Sequence, residues 1–315
     1  MAAIKSYKGF DKNLKCRDFQ YEIGKEYEMD EEIKMCNRGF HACESPFEVF
    51  DHYSMIGSRF CEVEQDGNIS KEDRGTKICS SKIKIKAELK LADMINLGVE
   101  WLKEITSPEK IKTSMKDNSS GNYAQIGSSG NYAQIGSSGN YAQIGSSGYY
   151  AQIGSSGDDA QIGSSGNNAQ IGSSGDDAQI GSSGYYAKIG SSGDDAQIGS
   201  SGDDAQIGSS GNYAQIGSSG NYAQIGSSGN YAKIGSSGDD AQIDSTGEGC
   251  VIMCAGINSV AKASKGSWIT LSEWSYSDKK QRYIPVCVKT EFVDGEKIKA
   301  DTYYKLAGGV FKEIQ

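Results

Sequence analysis

The sequence predicts a mainly β protein: a parallel β-solenoid of about 14 nonapeptide strands, two per coil, with an N-terminal α+β domain and a C-terminal β cap. Three observations predict it. From Asn122 to Ile243 the unit x-x-A-Q/K-I-G-S-S-G recurs fourteen times, with its isoleucines at Ile126, Ile135, Ile144 and every ninth residue to Ile243. Within each unit Ala and Ile stand two apart with Gln or Lys between them, the alternation of a strand buried on one face. The composition is skewed in the same sense, with 41 glycines against 3 prolines and the glycine concentrated in the repeat.

A strand of this kind cannot bury its Ala and Ile alone, so successive strands must stack into a continuous core. Each nonapeptide then reads as one short strand followed by G-S-S-G as a turn. Identical units with identical turns favour parallel stacking over hairpins. Ala and Ile are small, so a thin rod of two facing sheets with eighteen residues per coil fits better than a triangular helix of 27. Seven coils at ~4.8 Å each give a rod roughly 34 Å long. The Gln/Lys positions and the variable positions before Ala are expected to form outward ladders along the two flat faces, the glutamines stacking as amides do in cross-β structure.

Residues 1–112 read as the N-terminal domain. Upstream, NRGFHACESPFEVFDHY reads as a short strand, a helix start at Ser45-Pro46 and a helix bearing Phe47, Phe50 and Tyr53. KICSSKIKIKAELKL alternates as a strand, and LADMINLGVEWLKEI carries apolar residues at helical spacing up to a break at Ser107-Pro108. The rod is placed at 113–257, where Val251, Met253, Ala255 and Ile257 still alternate, and the cap at 258–315, with strands joined by DG and AGG turns.

The charge is equally localised. Gly121 to Gly247 holds eleven Asp and two Lys, so the net charge of −9 lies wholly in the repeat. Such a field disfavours nucleic acid and anionic membrane and favours a partner with a basic surface. With two units per coil, the odd-numbered units bring Asp158–Asp159, Asp176–Asp177 and Asp194–Asp195 into one stack, flanked by Tyr123 and Tyr141 on one side and Tyr213 and Tyr231 on the other. These ten residues are the candidate binding site. Like charges about 4.8 Å apart cost ~0.9 kcal/mol per pair even in water, which sets a binding role against a purely solubilising one, with cation binding between the Asp rows as a third reading, although the unit lacks the Gly-Gly-x-Gly-x-Asp order of calcium-binding nonapeptides.

No P-loop, dinucleotide fingerprint, G-x-S-x-G or H-E-x-x-H is present, so no catalytic residue is assigned. The spacing of His41 with Cys36 and Cys43 fits no standard zinc motif, Cys250-x-x-x-Cys254 has no neighbouring His, and no cofactor or metal is expected. With no signal-peptide stretch and no apolar run long enough to span a bilayer, the eight cysteines are expected to be reduced thiols in a cytoplasmic protein.

The segments KGFDKNLKCRDFQYEIGKEYE, NRGFHACESPFEVFDHY and SRFCEVE resemble an N-terminal domain found in proteins of bacteriophages and prophages of gut Firmicutes. The nonapeptides and the ending VDGEKIKADTYYKL look like the same group. The resemblance implies a phage-encoded accessory protein in the bacterial host's cytoplasm. The expected function is non-enzymatic binding of a host protein, as a nucleic-acid mimic that inhibits a defence system; a structural spacer or virion fibre is the alternative. Gly39-Phe40-His41-Ala42, Ser45 and Tyr53 are also similar to a strand and helix start of the ADP-ribosyltransferase fold, which implies an enzyme in the N-terminal domain as a third reading.

Overall fold

The computed structural model describes residues 3–30, 32–72, 75–107 and 121–314. The break at Pro108 and the 112/113 boundary expected from sequence lie outside them. The chain divides into two compact units, Met1–Trp101 and Leu102–Gln315, and the C-terminal strands belong to the second.

The second unit is the solenoid. The strands of the odd-numbered units, from Gln125–Ser128 to Lys233–Ser236, stack in parallel and continue through Val251–Cys254 to Trp268–Ser277. The even-numbered strands, from Gln134–Ser137 to Gln242–Ser245, form the second sheet and continue through Val260–Ala263. Ile126 stacks on Ile144, and Ile135 on Ile153, so a coil is two units and eighteen residues. The triangular arrangement is thereby excluded. At the C-terminal end the strand Arg282–Phe292 pairs antiparallel with Trp268–Ser277, and the hairpin Tyr303–Ala307/Val310–Ile314 pairs antiparallel with Val260–Ala263, so each sheet ends on a reversed strand. The hairpin turns on Gly308 and Gly309, both at positive φ. The Glu273 carboxylate accepts both of their N–H groups at 2.8 Å.

Three details differ from the sequence reading. The strand in each unit is Q-I-G-S, so the first Gly and Ser of G-S-S-G belong to the strand, and the corner is made by the second Ser, the second Gly and the two variable residues. The first Ser points inward with Ala and Ile, because its side chain fits a thin interior; in the first two strands Ser128 and Ser137 Oγ accept the N–H of Gly130 and Gly139 at 3.4 Å, whereas from Ser146 to Ser245 the enclosed hydroxyls make no hydrogen bond within the chain. The second Gly is sterically obligatory. A Cβ at Gly175 would overlap the carbonyl of Gly157 one coil below, and the same overlap recurs up the rod.

The variable residues consequently lie along the two narrow edges of the rod and not on its flat faces. Past the last nonapeptide, Ile252 and Cys254 take the inward places, while Val251 and Met253 face solvent, 49% and 53% exposed. The alternation seen in the sequence there is that of the outer surface.

The first unit is a small closed sheet. Strands β1 (Ile4–Phe10), β2 (Lys15–Cys16), β3 (Phe19–Gln20), β4 (Glu26–Glu28), β5 (Phe40–Cys43), β6 (Arg59–Lys71) and β7 (Lys77–Leu89) precede the helix α1 (Leu91–Ile105). β7 pairs with both β5 and β6, and β1 pairs with both as well, so the ladder β5–β1–β6–β7 closes on itself. Register shifts in the β6–β7 pair supply the bends that closure needs. This unit is mostly β, and the helix expected after Pro46 is a 3-10 turn, Phe47–Asp51. Phe10, Tyr21, Phe40, Val63, Ile83 and Ile85 fill the interior. Within it Gln65 Oε1 accepts from Ser6 Oγ, and Gln65 Nε2 donates to Ser80 Oγ and to the Phe40 carbonyl, a buried polar group satisfied on all sides.

Candidate functional site

The structure brings together all ten residues of the candidate site along one edge of the rod. Their local geometry follows from the corner. In every repeat the residue before Ala is left-handed, with φ between 54° and 60° from Tyr123 to Asp240. That conformation favours Asn, Asp and Gly and disfavours a residue as bulky as Tyr. Its N–H donates to the carbonyl of the first variable residue one coil on, as Asp159 does to Asp176 at 2.9 Å and Asp177 to Asp194 at 2.9 Å.

The first variable residue is held differently. Asp158 Oδ1 accepts the N–H of Asp176, Asp176 Oδ1 that of Asp194, and Asp194 Oδ1 that of Asn212, at 3.1, 2.8 and 2.7 Å. Asn takes the same place above and below: Asn122 Oδ1 receives the N–H of Asn140, and Asn212 Oδ1 that of Asn230. Asp158, Asp176 and Asp194 therefore carry part of the ladder that joins the coils. Asp159, Asp177 and Asp195 have no such part, since Tyr fills their position elsewhere.

The stack of like charges has an electrostatic trace. Asp177, the middle of the three, has its carboxyl pKa raised, by partial desolvation first and then by Asp159 and Asp195. Tyr141 next to the stack is pushed up chiefly by Asp159. The flanking tyrosines stack as pairs, with Tyr123 and Tyr141 rings 5.0 Å apart and 8° from parallel, and Tyr213 and Tyr231 rings 5.3 Å apart at 14°. The opposite edge carries a stacked pair, Tyr132 and Tyr150, but mixes Asn, Tyr and Asp beyond it.

A second feature lies in the N-terminal unit. A cleft of about 1170 Å³ is lined by Lys8, Cys16, Tyr21, Phe40, His41 and Tyr53 among others. Lys8 is buried, and its Nζ donates to the His41 carbonyl at 3.0 Å beside Cys16 Sγ at 3.5 Å. The rings of Phe10, Tyr21 and Tyr53 stand 5.4 to 5.9 Å from it. Burial lowers the Lys8 pKa, and burial together with Lys8 lowers that of His41. His41 Nε2 accepts the Cys36 N–H at 3.0 Å, and the Tyr53 hydroxyl donates to Cys16 Sγ at 2.9 Å. Sequence reasoning placed His41 and Tyr53 but missed Lys8. The available signal was phase: in IKSYKGF, Lys8 alternates with Ser6 and Phe10, so strand geometry turns it inward with them.

All eight cysteines are free thiols. Burial raises the pKa values of Cys43, Cys61 and Cys254 to about 12. No described helix is long and apolar enough to cross a membrane.

Residues 4–97 match the model of a domain of unknown function, DUF7666. The DUF7666 match covers the closed sheet and the first half of α1 and stops short of the rod. No curated protein and no solved structure matches the chain.

Proposed function

We propose that the chain is a non-enzymatic binding protein, a phage-encoded accessory factor whose solenoid edge engages a basic surface on a host protein and competes there with nucleic acid. The observation that carries this reading is the occupancy of the left-handed corner. Eight of the fourteen corners hold Tyr, Tyr123 among them, where the backbone favours Asn. Tyr213 and Tyr231 are each 53% exposed, so they cover no core that would offset the strain. Aromatic residues kept at a conformational cost with their rings in solvent are suited to contact with another molecule. Between the tyrosine pairs the carboxylates of Asp159, Asp177 and Asp195 supply charge that neither the corner nor the ladder requires.

The test separates shape from charge. Asp159→Asn, Asp177→Asn and Asp195→Asn together keep a residue suited to the left-handed corner and remove three charges, so the circular dichroism spectrum should be unchanged. In low salt the melting temperature should rise slightly, since a carboxylate whose folded pKa is raised opposes folding above that pKa. Capture of the partner from host lysate should be abolished, and wild-type capture should weaken steeply as salt rises. A triple variant that captures the same protein as well as wild type does would reduce the acidic stack to a solvated surface and leave the rod as a spacer.

A further inference from the structure

The two flat faces of the rod have the same chemistry but different surroundings. On the second sheet the glycine row is approached by the chain itself. Thr106 and Leu102 lie against Gly136 and Gly154 so closely that a Cβ at either glycine would overlap them. On the first sheet the equivalent glycines are open: at Gly145, Gly163, Gly181, Gly199 and Gly217 an added Cβ would meet nothing within 4 Å. None of them has positive φ, and at the end of the same row Met253 stands in register with Gly235, so the fold admits a side chain there. A glycine in a strand costs roughly 0.5–1 kcal/mol relative to alanine, and here neither backbone conformation nor internal packing accounts for it. The remaining use of a bare strand is close approach by another backbone or side chain.

The face has two columns. The outward residue before each Ile is Gln in six successive strands from Gln125 and Lys233 in the seventh; the outward residue after it is Gly. A ridge of long amides thus runs beside a shallow groove of about 1260 Å³ floored by glycine, ending at Val251 and Met253. Beyond them the columns continue as Trp268, packed on Phe292 at 5.0 Å, and Thr270, opposite Thr290. Val251, Met253, Trp268, Phe292 and Val288 are all at least 41% exposed and form an apolar end to a polar face.

We infer that this face is the interface of a parallel homodimer, in which a two-fold axis running along the rod lays the glutamine ridge of each copy in the glycine groove of the other. The symmetry decides the arrangement. A two-fold along the rod reverses the strand direction, so Gln179 of one copy meets the partner's Gly181, and Val251 meets the partner's Met253. Ridge enters groove along the whole length, and the apolar ends coincide and fix the register among otherwise equivalent 4.8 Å steps. The two acidic edges then lie on opposite sides of the interface. A two-fold perpendicular to the rod would instead set ridge on ridge, leave groove facing groove and bring the acidic edges together. The size is sufficient: ten strands spaced by ~4.8 Å, each with four residues of ~3.3 Å, present roughly 600 Å² per copy, about 1,200 Å² in all, the lower bound of a standard stable interface.

Sedimentation equilibrium of the full chain tests this directly. The wild type is expected to be a dimer at micromolar concentration. Gln179→Lys with Gly181→Lys should give a monomer of unchanged circular dichroism and melting profile at low concentration, because both positions face open solvent in the single chain. Gln179→Lys with Gly181→Glu should restore the dimer, since the parallel two-fold pairs each lysine with the partner's glutamate. A monomeric wild type would overturn the proposal, as would a doubly lysine-substituted chain that remains dimeric. Loss of the dimer in the lysine–glutamate variant as well would exclude the parallel arrangement.

Discussion

The rod and the closed sheet that precedes it solve the same problem of burying β-strands by opposite means. In the rod every inward residue meets a copy of itself one coil away, so Ile180 lies between Ile162 and Ile198 and three small residue types suffice for the interior. In the closed sheet no residue meets its own kind by rule. Closure depends on β7 serving two partners, and the interior holds Gln65 and Lys8 as well as aromatic rings. Repetition makes each position's role uniform and its failure additive along the rod; the aperiodic sheet concentrates its specificity in a few unlike residues. Substitutions can break or sharpen this contrast.

The largest effect is expected at the rod's axis. Ile180→Asp puts a carboxylate where the side chain is fully enclosed between two coils, and should cost several kcal/mol and split the rod's unfolding into two transitions, read by denaturant melts followed by circular dichroism. A wild-type melt would show that the isoleucines do not form the core.

An intermediate pair compares two glycines six residues apart. Gly175→Ala forces a methyl group against the Gly157 carbonyl and should destabilise by roughly 1–3 kcal/mol. Gly181→Ala, on the open face, should stabilise the single chain, measured at concentrations below those at which it dimerises, by about 0.5–1 kcal/mol through the unfolded chain. Equal effects on the chemical denaturation midpoint would mean that the two glycines are not sterically distinct.

The smallest effect belongs to the closed sheet. Burial holds the Lys8 pKa below its ordinary value of 10.5, so the unfolded chain binds the proton more tightly than the folded one. Stability should therefore rise with pH across the window from the depressed pKa up to about 10.5. Lys8→Met removes that contribution, and the difference between the stability–pH profiles of wild type and variant should slope accordingly. Parallel profiles would mean that the ring faces and the His41 carbonyl fully compensate the burial of the ammonium.

The legibility of the two regions differs for the same reason. The nine-residue phase of Ile126, Ile135 and Ile144 and the small size of their Ala partners sufficed for the coil length, and with it for the stack of Asp159, Asp177 and Asp195. What the repeat could not disclose was where the corner falls, because Gly-Ser-Ser-Gly has turn chemistry throughout and only stacking shows that its first glycine is an outward strand residue and its second is enclosed between coils. The strand Lys77–Leu89 and the helix Leu91–Ile105 were legible from their periodicities. The closure of β1, β5, β6 and β7 was not, since it rests on pairings between strands far apart in sequence, and the cleft around Lys8 exists only once they are made.

The eighteen-residue coil also governs how such a chain can change length. Loss or gain of a single nonapeptide would carry every later unit half a turn around the axis, transferring the tyrosines and aspartates beyond it to the other edge and exchanging the sheets on which the terminal strands must dock. Loss or gain of two units leaves all of these relations intact and alters only the reach. Duplication in multiples of eighteen residues is thus silent for the surface pattern, whereas a nine-residue slip rewrites it, and changes in repeat number would be sorted by parity.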